Sequence, residues 1–202
     1  MISASVVSPF PDLIMNKIRP LYVVLGVVVL LGIWLWTGYN GFVTARAGVD
    51  GAWAQVETQY QRRFDLVPNL VSTVKGAAQF EQDTFIGVTE ARSQWQSAPS
   101  REGKINAAEN FDSALSRLLV TVEAYPQLQA TQAFKDLMVQ LEGTENRIAT
   151  ARRDYNNAVQ AYNVKVRRFP GKLLAGLFGF EAESFFQSAE GSEKAPTVDF
   201  GA

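Results

Sequence analysis

The sequence predicts an all-α protein: a single N-terminal transmembrane helix followed by an antiparallel up-and-down four-helix bundle with long coiled-coil-like helices. Three observations carry this. Residues 21–39 hold no charge. From residue 42 to residue 169 apolar residues recur at three- and four-residue intervals, the period of one helix face. Nothing in that range alternates apolar and polar with period two, as a half-buried strand does.

Residues 1–20 read as an N-terminal tail, with Pro9 and Pro11 and no strong pattern. Residues 21–39, LYVVLGVVVLLGIWLWTGY, are the expected span. As a helix they reach roughly 28 Å, close to the hydrocarbon thickness of about 30 Å. Trp34, Trp36 and Tyr39 gather at one end and Tyr22 marks the other, the placement of interfacial aromatics. A signal peptide has a shorter apolar core, of about 7–15 residues, and a small-residue cleavage site. Here the nearest small-x-small triplet, Ala45-Arg46-Ala47, is interrupted by a charge, so an uncleaved anchor is expected. Lys17 and Arg19 precede the span and only Arg46 closely follows it. That bias points the short N-terminus into the cytoplasm and the large domain outside.

Residues 42–170 form the expected bundle. The first stripe is Val49, Trp53, Val56, Tyr60, Phe64 and Val67; the second runs from Leu70 and Val71 through Val74, Ala78, Phe85 and Val88 to Trp95. Ala98-Pro99-Ser100 signals a loop. Phe111, Leu115, Leu118, Val122 and Tyr125 make the third stripe, ended by Pro126. The fourth runs from Phe134 to Phe169 and stops at Pro170-Gly171, a helix-stop pair. Pro68 interrupts the first two stripes. With Asp65 as N-cap it falls in a first turn, where a missing N–H matters little. A break there is favoured over a kink, giving helices at about 42–64, 66–97, 103–125 and 127–169. A sharp reversal brings residues 165–180 back beside the membrane; a kinked rod points them away.

Glu81, Glu145 and Arg152 occupy stripe positions and Arg63 adjoins one. They read as interhelical polar groups that fix bundle register, as polar core residues do in coiled coils. Tyr155 and Tyr162, flanked by Asn156, Asn157 and Asn163, read as core with hydroxyls at the rim; the alternative is a binding groove. Residues 171–202 are expected to be a short amphipathic segment and a flexible acidic tail with one extended docking stretch. Lys165, Arg167, Arg168 and Lys172 precede Leu173, Leu174, Leu177, Phe178 and Phe180. Such a segment either lies on anionic lipid, with Lys172, Leu173, Leu177 and Phe178 at the interface, or closes the end of the bundle.

Composition narrows the function. The chain has 202 residues and a formal charge of −1, without the basic excess of a nucleic-acid binder. It holds no histidine and no cysteine. The commonest general base, thiolate nucleophiles and the commonest metal ligands are thereby missing. No catalytic, cofactor or metal residue is expected, and no cofactor.

Four features, AWAQVETQYQRRFDLVPNLVSTVKGAAQFEQDTF at 52–85 with TEAR at 89–92, ENRIATARRDYNNAVQAYNVKVRRFPGKLLAGLFGF at 145–180, PTVDF at 196–200 and the N-terminal apolar run, resemble the LemA family. Phe64-Asp65 stands where that family more often has His-Asp. The resemblance implies a membrane-anchored helical bundle of bacterial envelopes without accepted enzymatic activity, with some members associated with magnetosome membranes. It also implies the opposite topology, with the domain in the cytoplasm, so the side of the inner membrane stays open. The expected function is a non-enzymatic scaffold that contacts membrane lipid and forms homo-oligomers. The alternative is an adaptor presenting a helical groove to an envelope protein such as a membrane protease or sensor.

Overall fold

The computed structural model describes residues 12–75 and 82–187, with side chains for 20–74 and 86–187. The described residues are helical, without strands: α1 (Asp12–Lys75), α2 (Gln82–Ser97), α3 (Arg101–Glu123), α4 (Pro126–Gln129), α5 (Gln132–Arg167) and α6 (Gly171–Phe178). Polar caps start two of them. The Ser100 hydroxyl accepts from the Gly103 N–H at 3.1 Å, and Thr131 accepts from the Phe134 N–H at 3.3 Å. Each satisfies a first-turn donor that the helix itself leaves open.

α1 is one continuous helix of 64 residues, joining the apolar run to the first stripe. The backbone is already helical from Asp12, inside the expected tail. The apolar run is exposed along its length, and α1 is long and apolar enough to cross a membrane. The break expected at Asp65 does not occur; Pro68 lies inside the helix. Magnitudes explain why. An interior proline costs about 3 kcal/mol. Continuing the helix keeps Val67, Leu70 and Val74 on the face already formed by Val49, Val56, Tyr60 and Phe64, all buried. Three such side chains are worth about 1.5–3 kcal/mol each, so the stripe outweighs the proline. Pro68 itself sits on the exposed face.

α5 runs antiparallel to α1. Lys165 donates to the Gly41 carbonyl at 2.8 Å, Arg152 meets Tyr60, and Arg63 reaches Thr144. α3 runs parallel to α1, with Arg101 beside Asp50, Lys104 beside Glu57 and Asp112 beside Arg63. α2 and α3 are packed together, joined by residues 98–100. The core is strongly aromatic: Trp95 stacks on Tyr60 at 4.7 Å and on Trp53 at 6.0 Å, and Phe111 meets Phe64 edge-on at 4.7 Å.

Although α1 does not break at Pro68, the end of α5 returns to the start of the soluble part. α6 lies there against α1, its Leu174 and Ala175 buried. Leu174 fills the space that a Cβ at Gly38 would occupy. Gly179 ends α6 with φ +71°, the left-handed region that glycine adopts without strain. Of the tail, expected to be flexible with one extended docking stretch, residues 183–186 are seated on α5. Glu81 and the PTVDF stretch lie outside the described residues.

Candidate functional site

Three clusters emerge where the helices meet. The first is a polar node at mid-height. Arg63, only 2% exposed, donates to Asp112 Oδ1 at 2.8 Å and pairs with Glu145, while its Nε reaches Thr144 at 3.3 Å. Arg152 pairs with Asp112 Oδ2 and meets the Tyr60 oxygen. Tyr60 also donates to Asp112 at 3.0 Å. Asp112 is thus held by two guanidinium groups, from α1 and α5, and by one phenol. Arg152 stays charged: burial opposes its charge, but Tyr60 and Asp112 more than offset this and raise its pKa. Burial, then the Asp112 carboxylate, pushes the Tyr60 hydroxyl upward.

Glu145 was expected inside the stripe, but its side chain is 60% exposed. The buried register on α5 is Leu141, Thr144, Ile148, Ala151 and Tyr155. Both phases share Leu141, Ile148 and Tyr155. Packing chose the one that buries small Thr144 and Ala151 and leaves the two charges at the rim. Asp112 was missed because it falls one place past Phe111, off its stripe, and no local pattern marked it. Among the described residues no three His, Cys, Asp or Glu side chains group as a metal site.

The second cluster is a strap, residues 180–187, laid along α5. Asn163 donates to the Glu183 carbonyl and accepts from the Glu183 N–H, both at 2.8 Å. Asn156 does the same for Phe186, both at 3.0 Å. Seven helical residues span about 10.5 Å, and three extended residues span about 10 Å. The two rungs therefore match only if the strap runs nearly straight between them. Tyr155 donates to the Ser184 carbonyl at 2.8 Å. Glu183 pairs with Arg101 of α3 at 2.9 Å and with Arg46 of α1 at 3.3 Å. Phe186 is buried, stacked 5.9 Å from Trp53 and edge-on to Tyr155, with Arg152 at 4.9 Å over its ring. Tyr155 and Tyr162 are core, and two of the three asparagines beside them also line a groove that the chain itself fills; Asn157 is exposed.

Burial pushes the Tyr155 hydroxyl up to about 12, from a usual value of about 10. Above about pH 10 the unfolded chain loses this proton while the folded chain keeps it. Stability is therefore complete below pH 10 and is expected to fall between about pH 10 and 12, by up to about 1.4 kcal/mol per pH unit for this group. Chemical denaturation across that range checks this: Tyr155→Phe should show a shallower decline than the parent chain.

The third cluster is the collar where α6 meets α1. Tyr39 contacts Phe178 edge-on at 5.0 Å, and Phe180 stacks on Phe42 at 5.0 Å. Trp36, Leu173 and Leu177 are largely exposed, Trp34, Tyr39 and Phe178 about 40% so, and Lys172 is exposed. α6 thus buries one edge, at Leu174 and Ala175, and leaves the other exposed.

Comparison with known proteins adds ancestry to this geometry. The chain is 30% identical over 176 residues to magnetosome protein MamQ 2 of Paramagnetospirillum magneticum, covering 74% of this chain and 64% of that protein. It is 28% identical over 175 residues to magnetosome protein MamQ of Magnetospirillum gryphiswaldense, covering 73% and 64%. Protein LemA of Metamycoplasma hominis is 21% identical over 143 residues, covering 70% and 65%. The matched region thus spans a little under two thirds of these curated relatives. The LemA family profile matches residues 52–200, which take in the C-terminal part of α1 from residue 52, α2 to α6 and the strap. The chain therefore belongs to the LemA family.

Proposed function

We propose that this protein is a non-enzymatic, self-associating helical scaffold, anchored by α1 in the bacterial inner membrane, that organises or shapes that membrane. The observation that carries the reading is the collar. The exposed apolar run of α1 continues without interruption into a helical stretch packed against α5 and α6. Beside that junction α6 offers free apolar side chains, Leu173, Leu177 and Phe178, next to Lys172. Apolar residues with cations at the end of a span suit an anionic lipid surface. Trp34, Trp36 and Tyr39 are assigned to the same interface. Arg63, Glu145 and Arg152 hold the register of the bundle above it. Anchoring confines copies to two dimensions, so weak contacts between them suffice for assembly. Relatives named as magnetosome proteins support a place in membrane organisation. The alternative, an adaptor for an envelope protein, is favoured by a cleft of about 510 Å³ between α3 and the strap, lined by Glu102, Asn106, Glu109 and Arg167 among others.

Two differently tagged full-length copies produced together and extracted in mild detergent test the choice. Co-purification in a particle of several copies is the expected result. A clean monomer that recovers other envelope proteins overturns scaffolding in favour of the adaptor.

A further inference from the structure

The strap is bound as a ligand is bound. Its backbone is read by Asn156 and Asn163, its carboxylate by Arg46 and Arg101, and its ring by Trp53, Tyr155 and Arg152. The groove thus recognises one pattern, an extended segment with an acid followed three residues later by phenylalanine. Glu183-Ser184-Phe185-Phe186 meets it, and every copy of this chain carries that segment. We propose that the groove is an intermolecular site and that its partner is the strap of a second copy, exchanged reciprocally between neighbours. The inference rests on the self-association proposed above and names its contact.

Three features support exchange. First, each copy is fixed by the same span, and the strap leaves α6 at the collar. A neighbour's strap therefore starts at the same height as the groove it must enter. Second, Gly179, in the left-handed region with nothing packed over it, is a pivot that leaves α6 on its own α1. Four residues from it to Glu183 reach about 14 Å when extended, a little more than one helix diameter of about 10–12 Å. Third, reciprocal exchange remakes the groove contacts of Glu183, Ser184 and Phe186, so the balance is set by linker geometry and local concentration rather than by new chemistry. A two-fold axis along the membrane normal keeps both anchors in the same bilayer and makes the interface isologous.

The cysteine-free sequence makes the test direct. Ser184 on the strap and Asn106 on α3 line the same cleft. One tagged full-length copy carries Ser184→Cys alone and a second carries Asn106→Cys alone. They are produced together, reconstituted in vesicles and treated with a short bismaleimide. A control partner carries Val120→Cys, which is exposed on α3 and does not line that cleft. The expected result is a mixed dimer with Asn106→Cys, at least ten-fold above the Val120→Cys background, and lost when Phe186→Ala is added to the strap copy. If the tags co-purify but the mixed product stays at background, while one chain carrying both cysteines cross-links within itself, exchange is overturned and self-association stands. If the tags do not co-purify, both proposals fall.

Discussion

Arg63→Ala is expected to cost about 3–5 kcal/mol of folding stability, the usual penalty for removing one partner of a buried ion pair. Arg63 is buried to 2% exposure and joins three elements at once: its own α1, Asp112 of α3 and Thr144 with Glu145 of α5. Truncation strips Asp112 of its Arg63 partner, leaving it only Arg152 and Tyr60. Glu145→Gln provides the contrast. Its side chain is 60% exposed, and exposed ion pairs contribute about 0–1 kcal/mol. Chemical denaturation in mild detergent, followed by helix signal, should therefore separate the two variants by several kcal/mol. Equal effects would mean that the node is dominated by its solvent-facing edge.

Phe186→Ala is expected to release the strap while the helices stay folded. A buried phenylalanine cut to alanine loses about 3–5 kcal/mol, and Phe186 supplies the strap's largest buried ring. The strap can open by itself, because past Phe180 its contacts run only to the groove. The loss should thus appear as local opening rather than global unfolding. Amide exchange at Glu183 and Phe186, whose N–H groups donate to Asn163 and Asn156, should quicken by about 100-fold or more, since each 1.36 kcal/mol is ten-fold. Exchange in the middle of α5 should barely change. Phe185→Ala, at a neighbouring residue 40% exposed, should leave both rates within a few-fold. Unfolding of α5 together with the strap would show that the strap belongs to the core rather than lying upon it.

These effects divide along the line between what a local pattern contains and what it lacks. The apolar run at 21–39 and the three-four spacing along α1, α3 and α5 are properties of one helix face, so they were readable without a partner. So was the polar character of Arg63 and Arg152. The phase of α5 was not, because Glu145 and Thr144 are adjacent and both fit a heptad anchored on Leu141 and Ile148. Only the facing surface of α1 selects Thr144. Pro68 misled for a related reason. Its local penalty is visible in the sequence, whereas the burial of Val67, Leu70 and Val74 that offsets it depends on the helices packed against α1.

The sequence by itself determined that this chain is helical, that it carries a run apolar enough to span a membrane, and that it holds no histidine and no cysteine. The tertiary structure alone decided that Asp112 joins two arginines and that Asn156 and Asn163 hold the chain's own strap. Helical content follows from contacts three or four residues apart. The node and the strap join residues 20 to 137 apart, and no periodicity along the chain encodes which distant group arrives.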